Sequence, residues 1–264
     1  MSRIRDRFAE LRARSEKALI CFLTSGDPDL KTTRSLALTL ENAGADILEL
    51  GIPFSDPLAD GPSIQASSHR ALDRGTTVGA VLGLVGDIRG SSRLPIVLMT
   101  YTNPAQRYGL ERFAREASDA GADGVIMTDM PPEEAAQWKA MAEASGLDTV
   151  FLLAPTSPAA RIRLVAEAAS GFIYCVSRTG VTGARRDVPV ELQNMVSAIR
   201  AVTDKPVAVG FGVSTAEHVR QVCQSADGAV VGSAIVDIVA RDGASKGLAS
   251  TVGEFARELK QGTK

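Results

Sequence analysis

The chain has 264 residues, with 29 Lys plus Arg against 31 Asp plus Glu and a formal net charge of −2. That length suits one large domain or two small ones, and the near-even charge excludes the basic stripe that nucleic-acid binding needs. Apolar residues at 45% and charged residues at 23% describe a globular core rather than a disordered chain.

From the N-terminus, MSRIRDRFAELRARSEK is Arg-rich, as a transit peptide can be, but it also carries Asp6, Glu10 and Glu16. Ile4, Phe8 and Leu11 fall at helical spacing, which predicts a short amphipathic helix packed on the domain. No apolar run approaches the roughly 20 residues that span a bilayer. Cys21, Cys175 and Cys223 lie far apart inside apolar segments, as reduced, buried thiols of a cytoplasmic protein would.

One unit then recurs: helix-like sequence, a small residue with Gly or Asp, and a short β-rich apolar run. ALICFLT (18–24) opens the series, and AGADILEL (43–50) follows. PIVLMTY (95–101), AGADGVIM (120–127), ASGLDTVFLL (144–153), ASGFIYCV (169–176), PVAVG (206–210) and SADGAVVG (225–232) complete it. The first connecting helix is expected to take Asp27 as N-cap and Pro28 in its first turn, with Leu36, Ala37, Leu40 and Ala43 on one face. Near-continuous apolar strands joined by helices imply a parallel sheet covered on both sides. Eight such units predict an α/β fold, a single-domain (β/α)8 barrel spanning 1–264 with an extra N-terminal helix; an open doubly wound sheet is the rival.

In such a barrel, function sits in the loops after the strands. Two loops are unusual: GIPFSDPLADGPSIQ after strand two and SRTGVTGARRDVP after strand six. The seven lysines lie on helices, at the chain end or before strands, where an imine-forming lysine has no use. His69 and His218 fall in helical sequence, away from a metal-ligand cluster.

Carboxylates remain. Alternation puts Ile47 and Glu49 on one face of strand two and Leu48 and Leu50 on the other. If the leucines face the helices, Glu49 points into the barrel, either as a proton carrier with a raised pKa or as a buried Glu with a backbone or Arg partner. Asp56 and Asp60 are turn residues or functional carboxylates of the next loop. Asp129 ends strand four as a pocket residue or as the cap of the next helix. Tyr101, Asn103 and Pro104 end strand three, and Tyr174 lies in strand six. Glycines follow strands six, seven and eight (GVTG, GFGVS and GS), and the last two loops commonly hold a phosphate in this barrel.

Taken together, LELGIPFSDPLADGPSIQ (48–65), FLTSGDP, MTYTNP, TDMPPEE, SRTGVTGAR, GFGVS and VGSAIV, in this order, resemble the tryptophan synthase alpha chain family. The resemblance runs from about Phe22 to the last helix. The sequence departs from the family pattern at Thr102 and Met130, positions without an assigned catalytic role. The resemblance implies cleavage of indole-3-glycerol phosphate to indole and D-glyceraldehyde 3-phosphate. By motif, Glu49 is then the general acid/base and Asp60 the second catalytic carboxylate. Gly183, Phe211, Gly212, Gly232 and Ser233 would hold the phosphate. Phe22, Tyr101, Asp129 and Tyr174 would form the pocket, and Thr182 a lid (178–188) that reaches Asp60. The resemblance also implies a tryptophan synthase beta chain as partner, in an alpha2beta2 heterotetramer, contacted through 53–60, Asn103 and Pro104. Pyridoxal phosphate would belong to that partner, with no cofactor in this chain. A stand-alone indole-3-glycerol phosphate lyase, another phosphosugar isomerase and a catalytically silent subunit are the alternatives.

Overall fold

Alternation along each strand sorts its side chains between two cores. Ala18, Ile20, Phe22, Ile47, Val97, Met99, Ile126, Val150, Ala208 and Val230 gather in one cluster, while Leu19, Cys21, Leu23, Leu48, Leu50 and Leu98 join the helical residues in a second. Two apolar faces on one sheet, the first gathering residues from strands all round the sheet, mean that the sheet closes on itself. The computed structural model, which describes residues 2–176, 190–210 and 212–264, shows this closed parallel barrel.

Its strands are β1 (Ala18–Thr24), β2 (Ile47–Gly51), β3 (Ile96–Thr100), β4 (Gly124–Met127), β5 (Asp148–Leu153), β6 (Ile173–Val176), β7 (Val207–Gly210) and β8 (Gly228–Val231), hydrogen-bonded in that order. β1 pairs back onto β8 with Ala18 opposite Gly228, which excludes the open doubly wound sheet. Helix α1 (Arg3–Ala13) precedes the barrel, as the spacing of Ile4, Phe8 and Leu11 predicts. Those three residues enter the interior cluster from below, with the Phe8 ring 5.9 Å from Phe172, so α1 plugs the N-terminal end.

The outer layer is α2 (Leu30–Asn42), then α3 (Pro62–Asp73) and α4 (Val78–Arg89) between β2 and β3, and α5 (Thr102–Tyr108) and α6 (Leu110–Ala120) between β3 and β4. Next come α7 (Ala136–Ala144), α8 (Ala159–Ala168), α9 (Val190–Arg200) and α10 (Ala216–Cys223), with α11 (Ser233–Asp242) and α12 (Leu248–Lys260) after β8.

The start of α2 differs from expectation. Asp29, not Asp27, is its N-cap, accepting from the Thr32 amide at 2.7 Å, and the helix begins at Leu30. The Asp27 carboxylate is instead taken by Arg70 of α3 through two bonds of 2.9 and 2.6 Å. A bidentate, half-buried ion pair outweighs one cap hydrogen bond.

The recurring small-Gly-Asp motif has a geometric reason. A residue just ahead of each even strand makes a reciprocal clasp with the odd strand before it. The Asp46 amide donates to Leu19 O and its carboxylate accepts from Leu19 N. Asp123 does the same with Ile96, Ser170 with Thr149, and Asp227 with Val207. The three aspartates are neutralised by Lys260, by Arg3 with Arg89, and by Arg200. These clasps lie at the bottom of the barrel, leaving the opposite mouth to chemistry.

Candidate active site

The mouth is built first from β2. Glu49 stands opposite Phe22 of β1 and Val97 of β3, both interior residues, so its side chain enters the barrel. It is 1% exposed, and its Oε2 is buried without a hydrogen-bond partner. Among the described residues, no backbone group or Arg bonds that oxygen. Burial, followed by the charge of Asp60, pushes its pKa from 4.5 up to about 8.

β2 runs one residue further than its apolar run suggests, to Gly51. A Cβ there would lie 2.6 Å from Cζ of Phe22, so the glycine lets that ring lie over the strand end. Gly210 repeats the device across the barrel, where a Cβ would meet the Tyr174 hydroxyl at 2.6 Å. Burial raises the Tyr174 phenol well above its usual range, and the charges of Glu49 and Asp60 add to it. The four side chains Phe22, Glu49, Tyr174 and Asp60 therefore border one space.

Asp60 comes from the loop after β2, at the end of a turn closed by its own amide on Pro57 O at 3.0 Å. Tyr101, which leaves β3 and is 5% exposed, reaches this turn. Its hydroxyl accepts from Ala59 N at 3.0 Å and hydrogen-bonds the Asp60 carboxylate. Burial raises Asp60 from 3.8 to about 6, and the Tyr101 bond moderates that rise. Asp56 is exposed and accepts from Ser55, so it is a loop residue. Beside the turn, a groove of about 540 Å³ is lined by Pro53, Phe54, Asn103, Pro104 and Arg107 among others, and Leu58 projects from the turn 90% exposed.

Asp129 meets Thr102, the residue after Tyr101. It is exposed and caps α5, the helix before its strand, by accepting from Thr102 N at 2.7 Å and Thr102 Oγ1 at 2.8 Å. Sequence order pointed to the following helix, but closure of the barrel puts the ends of β3 and β4 side by side.

The rim after β7 and β8 holds the glycines, with Gly232 beside Phe22. Gly212 has φ +53, a left-handed turn that glycine tolerates without strain. Gly232 caps α11, so the helix starts at Ser233 as soon as β8 ends. The first amides of a helix have no partner inside it, and they favour an anion. Thr182, Gly183 and Phe211, and the segment 178–188, lie outside the described residues. Two contributors escaped the sequence reading: Gln65, whose amide bonds the Asp60 turn, and Thr24, whose hydroxyl bonds Ser67 at 2.6 Å.

A buried acid and a half-buried carboxylate facing glycine-rich helix starts is a site for proton transfer on a phosphorylated substrate. The chain is also similar to known proteins along its whole length. The family model of the tryptophan synthase alpha chain matches residues 8–264. The chain belongs to the tryptophan synthase alpha chain family. It is 53% identical over 262 residues to the tryptophan synthase alpha chain of Geobacter sp. (strain M21), covering 99% of this chain and 98% of that protein. The counterpart in Geobacter sulfurreducens is 54% identical over 261 residues, with 99% and 98% covered. Among solved structures, the tryptophan synthase subunit alpha of Legionella pneumophila superposes with a TM-score of 0.92 at 37% identity, covering 100% of this chain and 98% of that one. A chain of Mycobacterium tuberculosis tryptophan synthase gives 0.91 at 38% identity, with 100% and 98% covered.

Proposed function

We propose that Glu49 and Asp60 carry out the alpha reaction of this family, the cleavage of indole-3-glycerol phosphate to indole and D-glyceraldehyde 3-phosphate. The observation that carries this assignment is the pairing of a carboxyl buried inside β2, its Oε2 unpartnered among the described residues, with a second carboxylate on the loop that follows. At pH 7, Glu49 with a pKa of about 8 is protonated, while Asp60 at about 6 is ionised.

The chemistry needs that difference. Indole leaves only once its C3 carries a proton, which places positive charge on the ring. Asp60 accepts a hydrogen bond from the ring N–H and stabilises that charge. Glu49 gives its proton to C3 and becomes a carboxylate. It then takes the proton of the glycerol hydroxyl, the C–C bond breaks, its electron pair restores the indole ring, and the aldehyde carbonyl forms. Glu49 ends protonated, as it began. Phe22 and Tyr174 flank the ring. The amides at Gly212, Gly232 and Ser233 hold the phosphate. No cofactor takes part in these steps.

The partner is a pyridoxal-phosphate-dependent beta chain in an alpha2beta2 assembly. The apolar groove at Pro53 and Phe54, with exposed Leu58 beside Asp60, supports docking there. Three buried free thiols suit a reducing cytoplasm. Among the described residues, no helix is long and apolar enough to cross a membrane. Asp60→Asn and Glu49→Gln test the assignment. Each is expected to lower indole release by about 10²-fold, the scale of a lost acid or base. Near-normal turnover in either variant removes that residue from the mechanism.

A further inference from the structure

We infer that Gln65 is a positioning residue for Asp60, holding the turn that carries the carboxylate at the barrel mouth. This rests on the assignment of Asp60 above. The turn 57–60 hangs between β2 and α3, with Leu58 90% exposed on it. Its backbone is closed by Asp60 N on Pro57 O and Leu58 N on Asp56 O, bonds that fix its shape but not its direction.

Gln65 supplies the direction. Its Nε2 donates to Asp60 O at 2.8 Å and to Pro57 O at 3.3 Å, gripping both ends of the turn with one amide. Tyr101 holds the middle from the barrel side, accepting from Ala59 N at 3.0 Å.

The grip matters because Gln65 stands on a fixed base. It lies in the first turn of α3, its own amide on Gly61 O at 3.0 Å. Two residues on, the buried Ser67 hydroxyl meets the buried Thr24 hydroxyl of β1 at 2.6 Å. One turn further, Arg70 pairs with Asp27 just beyond β1. Asp60 is thus tied to the barrel wall through Gln65, α3 and β1, independently of β2. Without the amide, the turn keeps the Tyr101 contact and buried Pro57, but nothing grips the Asp60 carbonyl and the carboxylate swings towards water. A displacement of about 1 Å at a reacting group can cost about 10² in rate.

Gln65→Met keeps the length and removes both donors; Gln65→Lys keeps a donor of similar reach. Indole release by both is compared with the unaltered chain and with Asp60→Asn, alongside melting curves. For Gln65→Met the expected result is kcat lower by about 10- to 100-fold with KM changed by less than about threefold. The acid limb of its pH profile should also move below the value near 6 set by burial of Asp60. Gln65→Lys should recover most of the loss. An unchanged kcat, or a loss that follows lowered melting with the acid limb in place, overturns the inference. If Asp60→Asn is fully active or the unaltered chain releases no indole, the Asp60 assignment falls and the inference falls with it. An inactive Asp60→Asn beside an unaffected Gln65→Met overturns the inference alone.

Discussion

Replacing Glu49 by Gln should stabilise the fold, and by an amount that grows with pH. Burial raises the Glu49 carboxyl from 4.5 to about 8, so between those values the folded chain holds a proton that the unfolded chain has released. Stability from this group is fully present below about pH 4.5 and is lost as pH rises through the folded value. A rise of that size is on the order of 5 kcal/mol at its upper bound, and some of it reflects repulsion by Asp60 rather than burial. Gln has the same shape and no proton to lose. Glu49→Gln should therefore match the unaltered chain near pH 5 and exceed it by roughly 2–5 kcal/mol near pH 9. Urea unfolding at intervals between those limits reads the difference directly. With a slope of about 3 kcal/mol per molar, a gain of 3 kcal/mol moves the midpoint by about 1 M. An equal difference between the two chains at every pH would refute the reasoning, because Glu49 would then titrate alike in both states.

Other consequences follow from the same geometry. Indole release should rise through about pH 6 as Asp60 ionises and fall through about pH 8 as Glu49 loses its proton; a profile flat across that range contradicts the division of roles. Gly51→Ala puts a Cβ 2.6 Å from the Phe22 ring, so KM should rise by about tenfold or more in a folded chain, and an unchanged KM removes Phe22 from the pocket. Asp123→Ala leaves Arg3 and Arg89 without their carboxylate; it should cost about 3 kcal/mol in urea titration while kcat of the folded chain stays the same.

Most of the barrel can be read from the sequence because the strands are apolar at most positions of both faces and several helices end at a small residue just before the next strand. Glu49 could be placed for the same reason: once the leucines of β2 face the helices, alternation decides where Glu49 goes. The missing pieces are those that depend on closure. Asp129 caps a helix that precedes it by 27 residues in sequence, and only neighbouring strand ends bring the two together. Asp27 next to Pro28 reads as a helix cap until Arg70, 43 residues away, takes its carboxylate. The aspartates before β2, β4 and β8 stand out in sequence as part of a repeat, but their use as clasps requires the parallel register. Gln65 ends the longest motif, yet its partners are backbone carbonyls, which carry no sequence signal.

The most direct test of the central claim is indole release from indole-3-glycerol phosphate by the purified chain, alone and with a tryptophan synthase beta chain added. Slow release alone that rises strongly with the beta chain is the expected result. Fast release that the beta chain leaves unchanged would mark a stand-alone lyase, and no release in either condition would contradict the assignment of Glu49 and Asp60 to this reaction.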